Sequence, residues 1–255
     1  MRLYYREEGE GQPLIILHGL WGASDNWLPI MHRLKDRFRV IIPDMRNHGQ
    51  SPHHPQHNYP ALCGDLLELI QKLGLTKPHL IGHSMGGKTA MFFLLQYPEY
   101  ISKAIIIDIA PIAYMPSLEH LNILTYITSV NPGTFANRNA LQADIRKHFG
   151  DTATQQILFK NIRKTIKGLK WKINPEALQQ NINEVCHWPA DITDKIYPGP
   201  ILFIKGEKSA YIPNEGECLK KQFPAARVEI IPQAGHAIHN EQPEILLKTI
   251  HAFLA

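Results

Sequence analysis

A serine bracketed by glycines is the residue of this sequence best placed to do chemistry. Residues 82–88 read Gly-His-Ser-Met-Gly-Gly-Lys and follow an apolar run that ends at Ile81. A strand that ends there and a helix that starts near Lys88 leave only a sharp, strained turn, on which Ser84 would expose its hydroxyl. Gly82 and Gly86 remove the side chains that would clash across that turn. The pattern therefore predicts a nucleophilic serine at a strand-to-helix elbow.

A base is required next, because a serine hydroxyl is a poor nucleophile until a neighbour takes its proton. His236 lies in Gln-Ala-Gly-His, just after an apolar run over residues 228–231 that reads as a strand. We predict that His236 is the general base and later the acid that protonates the leaving group. His239 is the alternative, although we expect it to belong to the following turn or helix.

The acid that orients the histidine is less regular. In many enzymes with this order of elements, the carboxylate follows the strand that comes before the histidine's own strand. Here that is the predicted strand 201–204, and Ser209 stands where the aspartate is expected. A serine cannot stabilise an imidazolium as a carboxylate does, so we predict that Asp108 replaces it. Asp108 closes the strand over residues 105–107, and parallel neighbours lie only about 4.8 Å apart. Two alternatives stay open: Asp108 could cap a turn beside Pro111, and Glu207 is the remaining acid.

Two backbone amides are the candidates for stabilising the negative charge that develops on a substrate oxygen. The elbow places Met85 at a helix N-terminus, where unpaired N–H groups and the helix dipole favour an anion. The second amide is that of Leu20, in the His-Gly-Leu-Trp-Gly segment after the first apolar strand. A phosphate loop is the competing interpretation, since Gly87-Lys88-Thr89 matches the end of that motif. It gives Ser84 and Met85 no role.

The elements that must position these residues alternate along the chain. Short β-branched runs read as buried parallel strands at residues 14–17, 40–42, 80–81, 105–107, 201–204 and 228–231. Helical patterns lie between or after them at about 61–73, 88–96 and 243–254. This alternation predicts an α/β fold with a parallel sheet covered on both faces.

The composition changes between residues 111 and 190. This segment is rich in Lys, Asn and Gln, its apolar residues have helical spacing, and it contains almost no strand-like runs. We therefore predict a discontinuous α/β core over 1–110 and 191–255, and a helical cap over 111–190.

Composition argues against several other functions. The 255 residues carry a formal net charge of +4 without a polybasic block, which gives little support for binding to nucleic acid or membranes. Cys63, Cys186 and Cys218 have no Cys-x-x-Cys spacing, and we see no leader peptide, so we expect a cytoplasmic protein. We predict no metal and no cofactor. The histidines at positions 53, 54 and 57 read as a solvated loop.

Taken in order, these motifs resemble the α/β-hydrolase superfamily over nearly the whole chain. The matching segments are His-Gly-Leu-Trp-Gly, Pro-Asp-Met-Arg-Asn-His-Gly-Gln-Ser, the elbow, Ile-Asp-Ile-Ala-Pro, Gly-Glu-Lys-Ser and Gly-His. Asp108 together with Ser209 is similar to the YbfF-type bacterial esterases. The resemblance implies Ser84 as nucleophile, His236 as base, Asp108 as acid and Ser209 as a further member of the network. It implies only a structural turn for Asp44, Arg46 and His48.

The resemblance also implies a substrate class: short-to-medium acyl esters, and thioesters such as acyl-CoA. Trp21 and Tyr114 are candidates for the apolar acyl pocket. Lys88 and four cap cations could meet a CoA phosphate or could form a solvated helix face; the four are Arg163, Lys164, Lys167 and Lys170. A small-molecule substrate is the only partner predicted, and the oligomeric state is left open.

Two other functions stay in view. Serine hydrolases of C–C bonds use the same residues, and their substrates differ only in what the cap selects. A binding or signalling protein could keep the fold and use the pocket only for recognition.

Overall fold

The computed structural model describes residues 1–255, apart from the side chain of Glu215. The strands are β1 Tyr5–Glu8, β2 Gln12–Leu17, β3 Phe38–Pro43, β4 His79–His83, β5 Ala104–Ile107, β6 Ile162–Thr165, β7 Gly168–Trp171, β8 Ile201–Gly206 and β9 Arg227–Ile231. The α-helices are α1 Leu28–Leu34, α2 Tyr59–Lys72, α3 Met85–Gln96, α4 Leu118–Ser129, α5 Arg138–His148, α6 Thr152–Lys160, α7 Pro175–Cys186, α8 Ile238–Glu241 and α9 Pro243–Leu254. Short 3₁₀ turns occupy Ser24–Trp27, Pro98–Tyr100, Pro132–Thr134, Ala190–Ile192 and Asn214–Leu219.

Across the described residues, seven strands form one sheet in the order β1-β3-β2-β4-β5-β8-β9. Every neighbouring pair is parallel except β1 and β3. The β-branched runs explain this arrangement, because their side chains are buried on both faces of the sheet. Ile15 and Ile16, for example, are both fully buried and point to opposite faces. The predicted parallel sheet is therefore confirmed.

Helices cover the two faces of the sheet. One apolar cluster joins the sheet to α2 and α3, and a second joins its other face to α1 and α9. Helix α2 begins at Tyr59, two residues before the predicted pattern: the Asn58 side chain accepts a hydrogen bond from Ala61 N, and Pro60 lies in the first turn. Helix α9 buries Leu246, Leu247 and Ile250 against the sheet.

The segment between β5 and β8 packs as a separate layer. Residues from α4 to α7 share an apolar cluster of their own, centred on side chains such as Ile123, Leu158 and Leu178. The prediction of an almost purely helical cap is wrong in one respect, because β6 and β7 form an antiparallel hairpin inside it. Basic and small residues interrupt the few apolar ones in both strands, so the sequence shows no apolar run of the kind that predicts a strand. The boundaries 111 and 190 stay predictions.

The sheet also contains an edge strand that the sequence pattern did not predict. Strand β1 reads Tyr-Arg-Glu-Glu and pairs antiparallel with β3. Charged residues are common on edge strands because one side of the strand faces solvent. Among the helices that the structure describes, none is long and apolar enough to cross a membrane.

Candidate active site

The residues predicted to do chemistry meet at one edge of the sheet. The segments that follow β2, β4, β5, β8 and β9 carry Leu20, Ser84, Asp108, Ser209 and His236 in that order. These strands are consecutive neighbours in the sheet and run parallel, so their carboxyl ends share one edge. Strand β2 lies between β3 and β4, where the chain reverses its direction of travel across the sheet. Ligand sites in open α/β sheets form at such a point.

Ser84 occupies a strained turn between β4 and α3. Its φ is 53° and its ψ is −118°, outside the regions that non-glycine residues prefer. The turn depends on its glycines: a Cβ on Gly82 would lie 2.4 Å from the carbonyl oxygen of Gly86, and one on Gly86 would lie 2.4 Å from that of Leu17. Helix α3 starts at Met85, three residues earlier than the sequence indicated.

Asp108 and His236 form a hydrogen-bonded pair. His236 Nδ1 lies 2.7 Å from Asp108 Oδ2, although 128 positions separate the two residues in sequence. Asp108 is fully buried, whereas the His236 side chain is 34% exposed. A carboxylate can only accept here, so Nδ1 carries the proton and Nε2 has a free lone pair. That tautomer suits a base that removes a proton from a serine.

Further groups orient the Asp108 carboxylate. Ser209 Oγ donates a hydrogen bond to Oδ2, and the backbone N–H of Gly206 donates to Oδ1 at 3.0 Å. Gly206 must be a glycine, because a Cβ there would lie 2.1 Å from the carbonyl oxygen of Gly235. Ser209 thus contacts the same carboxylate oxygen as His236.

Three residues that the sequence did not single out hold His236 in place. His83 Nε2 lies 2.9 Å from the carbonyl oxygen of His236, and the Tyr211 ring stacks on the imidazole at 4.1 Å between centroids. The Glu241 carboxylate accepts hydrogen bonds from the N–H groups on both sides of His236, at 2.7 Å from Gly235 and 3.0 Å from Ala237. In retrospect, the middle residue of Gly-His-Ser was the visible signal for His83. Glu241 lies only a few residues after His236, whereas Tyr211 comes from the loop after another strand.

Burial determines the charge of His83. Desolvation, and then the neighbouring His236 and His239, hold the pKa of His83 well below its usual value. The ring is therefore neutral near pH 7. Its Nε2–H donates to the His236 carbonyl without placing a second cation beside the base.

The link between Ser84 and His236 is inferred from position. Nε2 is the free ring nitrogen of His236, but none of the hydrogen bonds between described side chains joins it to Ser84 Oγ. Hydrogen bonds at catalytic sites are often long before substrate binds. The elbow is nonetheless tied to the base, since His83 precedes Ser84 directly and bonds to His236.

The two proposed oxyanion donors lie beside Ser84. Met85 is the first residue of α3, and Leu20 lines the same cleft as Ser84 and Met85. The loop that carries Leu20 passes very close to the elbow: a Cβ on Gly19 would lie 3.2 Å from that of Ser84. His18 anchors this loop by accepting a hydrogen bond from Met45 N at 2.9 Å. Their role as oxyanion donors stays a prediction.

A cleft of about 400 Å3, including its open mouth, lies over Ser84 between core and cap. Its walls are mainly apolar or aromatic; they include Leu20, Tyr59, Ile109, Tyr114, Val185 and Tyr211. The Tyr114 hydroxyl accepts from Ala110 N and donates to the carbonyl oxygen of Tyr211, so it links the cap to the ring stacked on His236. Tyr114 therefore lies in the cleft wall, and its role in binding an acyl chain stays a prediction.

Trp21 lies elsewhere. It packs into the apolar cluster of the cap and is not one of the residues that line the cleft. Its carbonyl oxygen accepts a hydrogen bond from Asn161 Nδ2 at 2.8 Å, which ties the loop after β2 to the cap. In the structure Trp21 is thus a packing residue of the cap, and its contact with an acyl chain stays a prediction.

The cations considered for a CoA phosphate divide into two groups. Arg163, Lys164, Lys167 and Lys170 are exposed on the β6–β7 hairpin. Lys88 instead is buried in the wall of the cleft. A solvated helix face is one interpretation that the sequence allows for these cations, and burial excludes it for Lys88.

The remaining candidates take other positions. His239 stacks on Trp27 at 4.4 Å, and the Glu207 carboxylate accepts a hydrogen bond from Gln233 N. Asp44 accepts from the N–H groups of Ser24 and Gln50, as expected for a structural turn. The expectation of a solvated loop is wrong for His57, which is buried with Nε2 3.3 Å from Met85 Sδ.

Comparison with known proteins agrees with this geometry. The family model described as "alpha/beta hydrolase fold" matches residues 12–243. The chain belongs to the α/β-hydrolase fold family. The predicted fold is thereby confirmed.

Individual relatives are similar over nearly the full chain. Esterase YbfF of Escherichia coli is 33% identical over 98% of this chain and 95% of its own. The sn-1-specific diacylglycerol lipase ABHD11 of Xenopus tropicalis is 34% identical over 98% of this chain and 80% of its own. A solved structure described as a marine microorganism esterase superposes with a TM-score of 0.94 at 38% identity, covering 98% of both chains. The resemblance to YbfF-type esterases is confirmed.

Proposed function

We propose that this protein is a serine carboxylesterase that hydrolyses short-to-medium acyl esters through an acyl-enzyme on Ser84. The observation that carries the proposal is the hydrogen bond between His236 Nδ1 and the buried carboxylate of Asp108, at the same sheet edge as the Ser84 elbow. Relatives named as esterases and a lipase, at 33–34% identity, support the same class of reaction.

The reaction begins with proton transfer from Ser84 Oγ to His236 Nε2 as the oxygen attacks the ester carbonyl carbon. Asp108 stabilises the imidazolium that forms, without taking its proton. The N–H groups of Met85 and Leu20 hold the oxyanion, and such donors act strongly because they are already oriented. His236 then protonates the departing alcohol.

The second half of the reaction reverses these roles. His236 removes a proton from water, the hydroxide attacks the acyl-enzyme, and Ser84 leaves with the proton that His236 returns. The open mouth of the cleft gives this water access to the acyl group, and the apolar walls hold the acyl chain.

Thioesters, including acyl-CoA, undergo the same chemistry and are part of the proposal. The exposed cations of the β6–β7 hairpin are the groups that a CoA phosphate would meet. Comparing acyl-CoA with the corresponding acyl-pantetheine, which lacks the nucleotide phosphates, tests this extension; equal kcat/KM for the two would contradict it.

The free thiols of Cys63, Cys186 and Cys218 support a cytoplasmic location, where disulfides are rare.

Hydrolysis of p-nitrophenyl butyrate tests the function. The purified protein is expected to turn the ester over, and the Ser84→Ala variant at the same concentration is expected to lose that turnover. Equal rates for the wild type and the variant would contradict the role of Ser84. If neither protein hydrolysed the ester, the proposed function would shift from a carboxylesterase to a C–C bond hydrolase or a non-catalytic binder.

A further inference from the structure

Lys88 is an unusual residue for the wall of an apolar cleft. It lies on α3, one helical turn after Ser84, and its N–H bonds to the carbonyl oxygen of that serine. The residue is only 1% exposed, yet it lines the cleft together with Ser84 and Met85. A buried amine needs partners, because removing a charge from water costs several kcal/mol unless it is paired.

Two backbone carbonyl groups accept hydrogen bonds from the Lys88 amine. Lys88 Nζ donates to the carbonyl oxygens of Cys186 and His187, at 2.8 and 2.9 Å, where α7 ends. Nζ also lies 4.7 Å from the centre of the Tyr114 ring. An ammonium has three N–H donors, so one donor is left after these two hydrogen bonds.

What Lys88 lacks is a counter-ion. Within the described part of the chain, no carboxylate forms an ion pair with its Nζ. Carbonyl dipoles and a tyrosine face stabilise a cation only partly, and burial lowers the pKa of Lys88 to about 7. The amine thus sits in a cleft that would bind an anion entering beside it.

We propose that Lys88 makes this enzyme select esters whose acyl group ends in a carboxylate, such as hemiesters of short dicarboxylic acids. The inference rests on the proposed esterase function and goes beyond it by naming the acyl group. The acyl chain lies between Ser84 and Lys88, with its ester carbonyl at the serine and its free carboxylate at the ammonium. A hydrogen bond between charged groups is stronger than a neutral one, which makes the effect measurable.

A pair of isosteric substrates separates this role from a purely structural one. Ethyl hydrogen succinate carries the carboxylate, and in ethyl isocaproate an isopropyl group takes its place. Lys88→Met removes the charge and keeps the length of the side chain. We expect it to lower the kcat/KM ratio of the succinate ester to the isocaproate ester by on the order of tenfold to a hundredfold, the range for a hydrogen bond to a charged group. Lys88→Arg, which keeps the charge, is expected to retain most of the ratio.

Lys103 provides a matched control. Its Nζ also donates to two backbone carbonyls at the end of a helix, those of Phe253 and Ala255 at the end of α9, but Lys103 does not line the cleft. Lys103→Met is expected to leave the ratio unchanged. If Lys88 only fastened α7 to the core, Lys88→Met would lower both activities by the same factor and the proposal would be overturned.

The wild-type enzyme provides a test that does not depend on a variant that folds. The succinate-to-isocaproate ratio is expected to fall as the pH rises above about 7, because Lys88 loses its charge there. The other titratable groups of the wall stay neutral at this pH, because burial raises the pKa of Tyr59, Tyr114, Cys186 and Tyr211 and lowers that of His120. The same base acts on both esters, so its contribution cancels in the ratio.

The outcomes separate the two proposals. Hydrolysis of both esters at a ratio that is independent of pH and of Lys88 would overturn the role of Lys88 and leave the esterase intact. Hydrolysis of neither ester would overturn the esterase itself.

Discussion

At the scale of single residues, the catalytic proposal depends on one carboxylate in an uncommon place. Asp108 follows β5 and reaches His236 from there, while Ser209, after β8, donates to the same carboxylate oxygen. In this proposal, an aspartate after β5 and a serine after β8 share the task of orienting the base, which the sequence pattern would assign to one aspartate after β8. Gly206 N completes the set by bonding to the other oxygen.

The Asp108→Asn variant tests the role of the carboxylate. The amide keeps the size of the side chain but favours the wrong tautomer of His236, so kcat is expected to fall by on the order of 10³ to 10⁴, as in other serine triads. Steady-state kinetics on p-nitrophenyl butyrate measures the effect. Near-normal turnover would refute the assignment and make Glu207 the next acid to test.

The Ser209→Ala variant removes a hydrogen bond and leaves the carboxylate in place. The carboxylate keeps its bonds to His236 and Gly206 N, so we expect a loss at the low end of the range for a hydrogen bond to a charged group, about 1.4 kcal/mol, and a fall in kcat of only about tenfold. A loss as large as that of Asp108→Asn would mean that Ser209 is as important as the acid itself.

At the scale of elements, two helical glycines are expected to respond in opposite ways to the same substitution. A Cβ on Gly86 in α3 would meet the backbone oxygens of Leu17 and His18 at 2.4 and 2.6 Å. A Cβ on Gly64 in α2 would meet nothing within 4 Å. Gly86→Ala must therefore push α3 away from the loop that carries Leu20, whereas Gly64→Ala only reduces the freedom of the unfolded chain.

We expect Gly64→Ala to raise the free energy of unfolding by about 0.5–1 kcal/mol with unchanged activity. Gly86→Ala is expected to lower both stability and kcat. Urea unfolding and ester hydrolysis, measured on both variants, check the pair. Normal activity in Gly86→Ala would show that the elbow tolerates a wider separation from the loop after β2.

The order of elements and the position of the elbow could be predicted from sequence because local patterns encode them. Apolar β-branched runs marked the inner strands, and the glycines around Ser84 marked the turn. Strand β1 and the β6–β7 hairpin could not be predicted, because their residues are mostly charged or polar. The stacking of Tyr211 on His236 and the bonds from Lys88 to the end of α7 join distant parts of the chain, so no local pattern announces them.

At the scale of the whole molecule, buried histidines couple stability to pH. Burial, with a smaller contribution from Arg46, lowers the pKa of His57 from 6.5 to about 3. Above pH 6.5 the ring is neutral in both the folded and the unfolded chain. Between pH 6.5 and about 3, the unfolded chain binds a proton that the folded chain does not, so stability falls as the pH falls. Burial acts with the same sign on His18, His48 and His83.

The His57→Gln variant measures one part of this effect. Each such histidine contributes a slope of about 1.4 kcal/mol per pH unit within its window. We expect the free energy of unfolding of the wild type to decrease steadily below about pH 6, and the slope to be smaller by about that amount in the variant. Urea unfolding at several pH values gives both slopes. Equal slopes would mean that His57 is protonated in the folded protein.

The central claim is that the fold activates Ser84 as a nucleophile, and covalent labelling tests it most directly. A fluorophosphonate probe reacts with a serine only when a base and an oxyanion site assist it. Mass spectrometry of the treated protein is expected to show one adduct per chain, on the peptide that contains Ser84, with ester hydrolysis lost in proportion. Failure to label Ser84 in a protein that still hydrolyses esters would contradict the account.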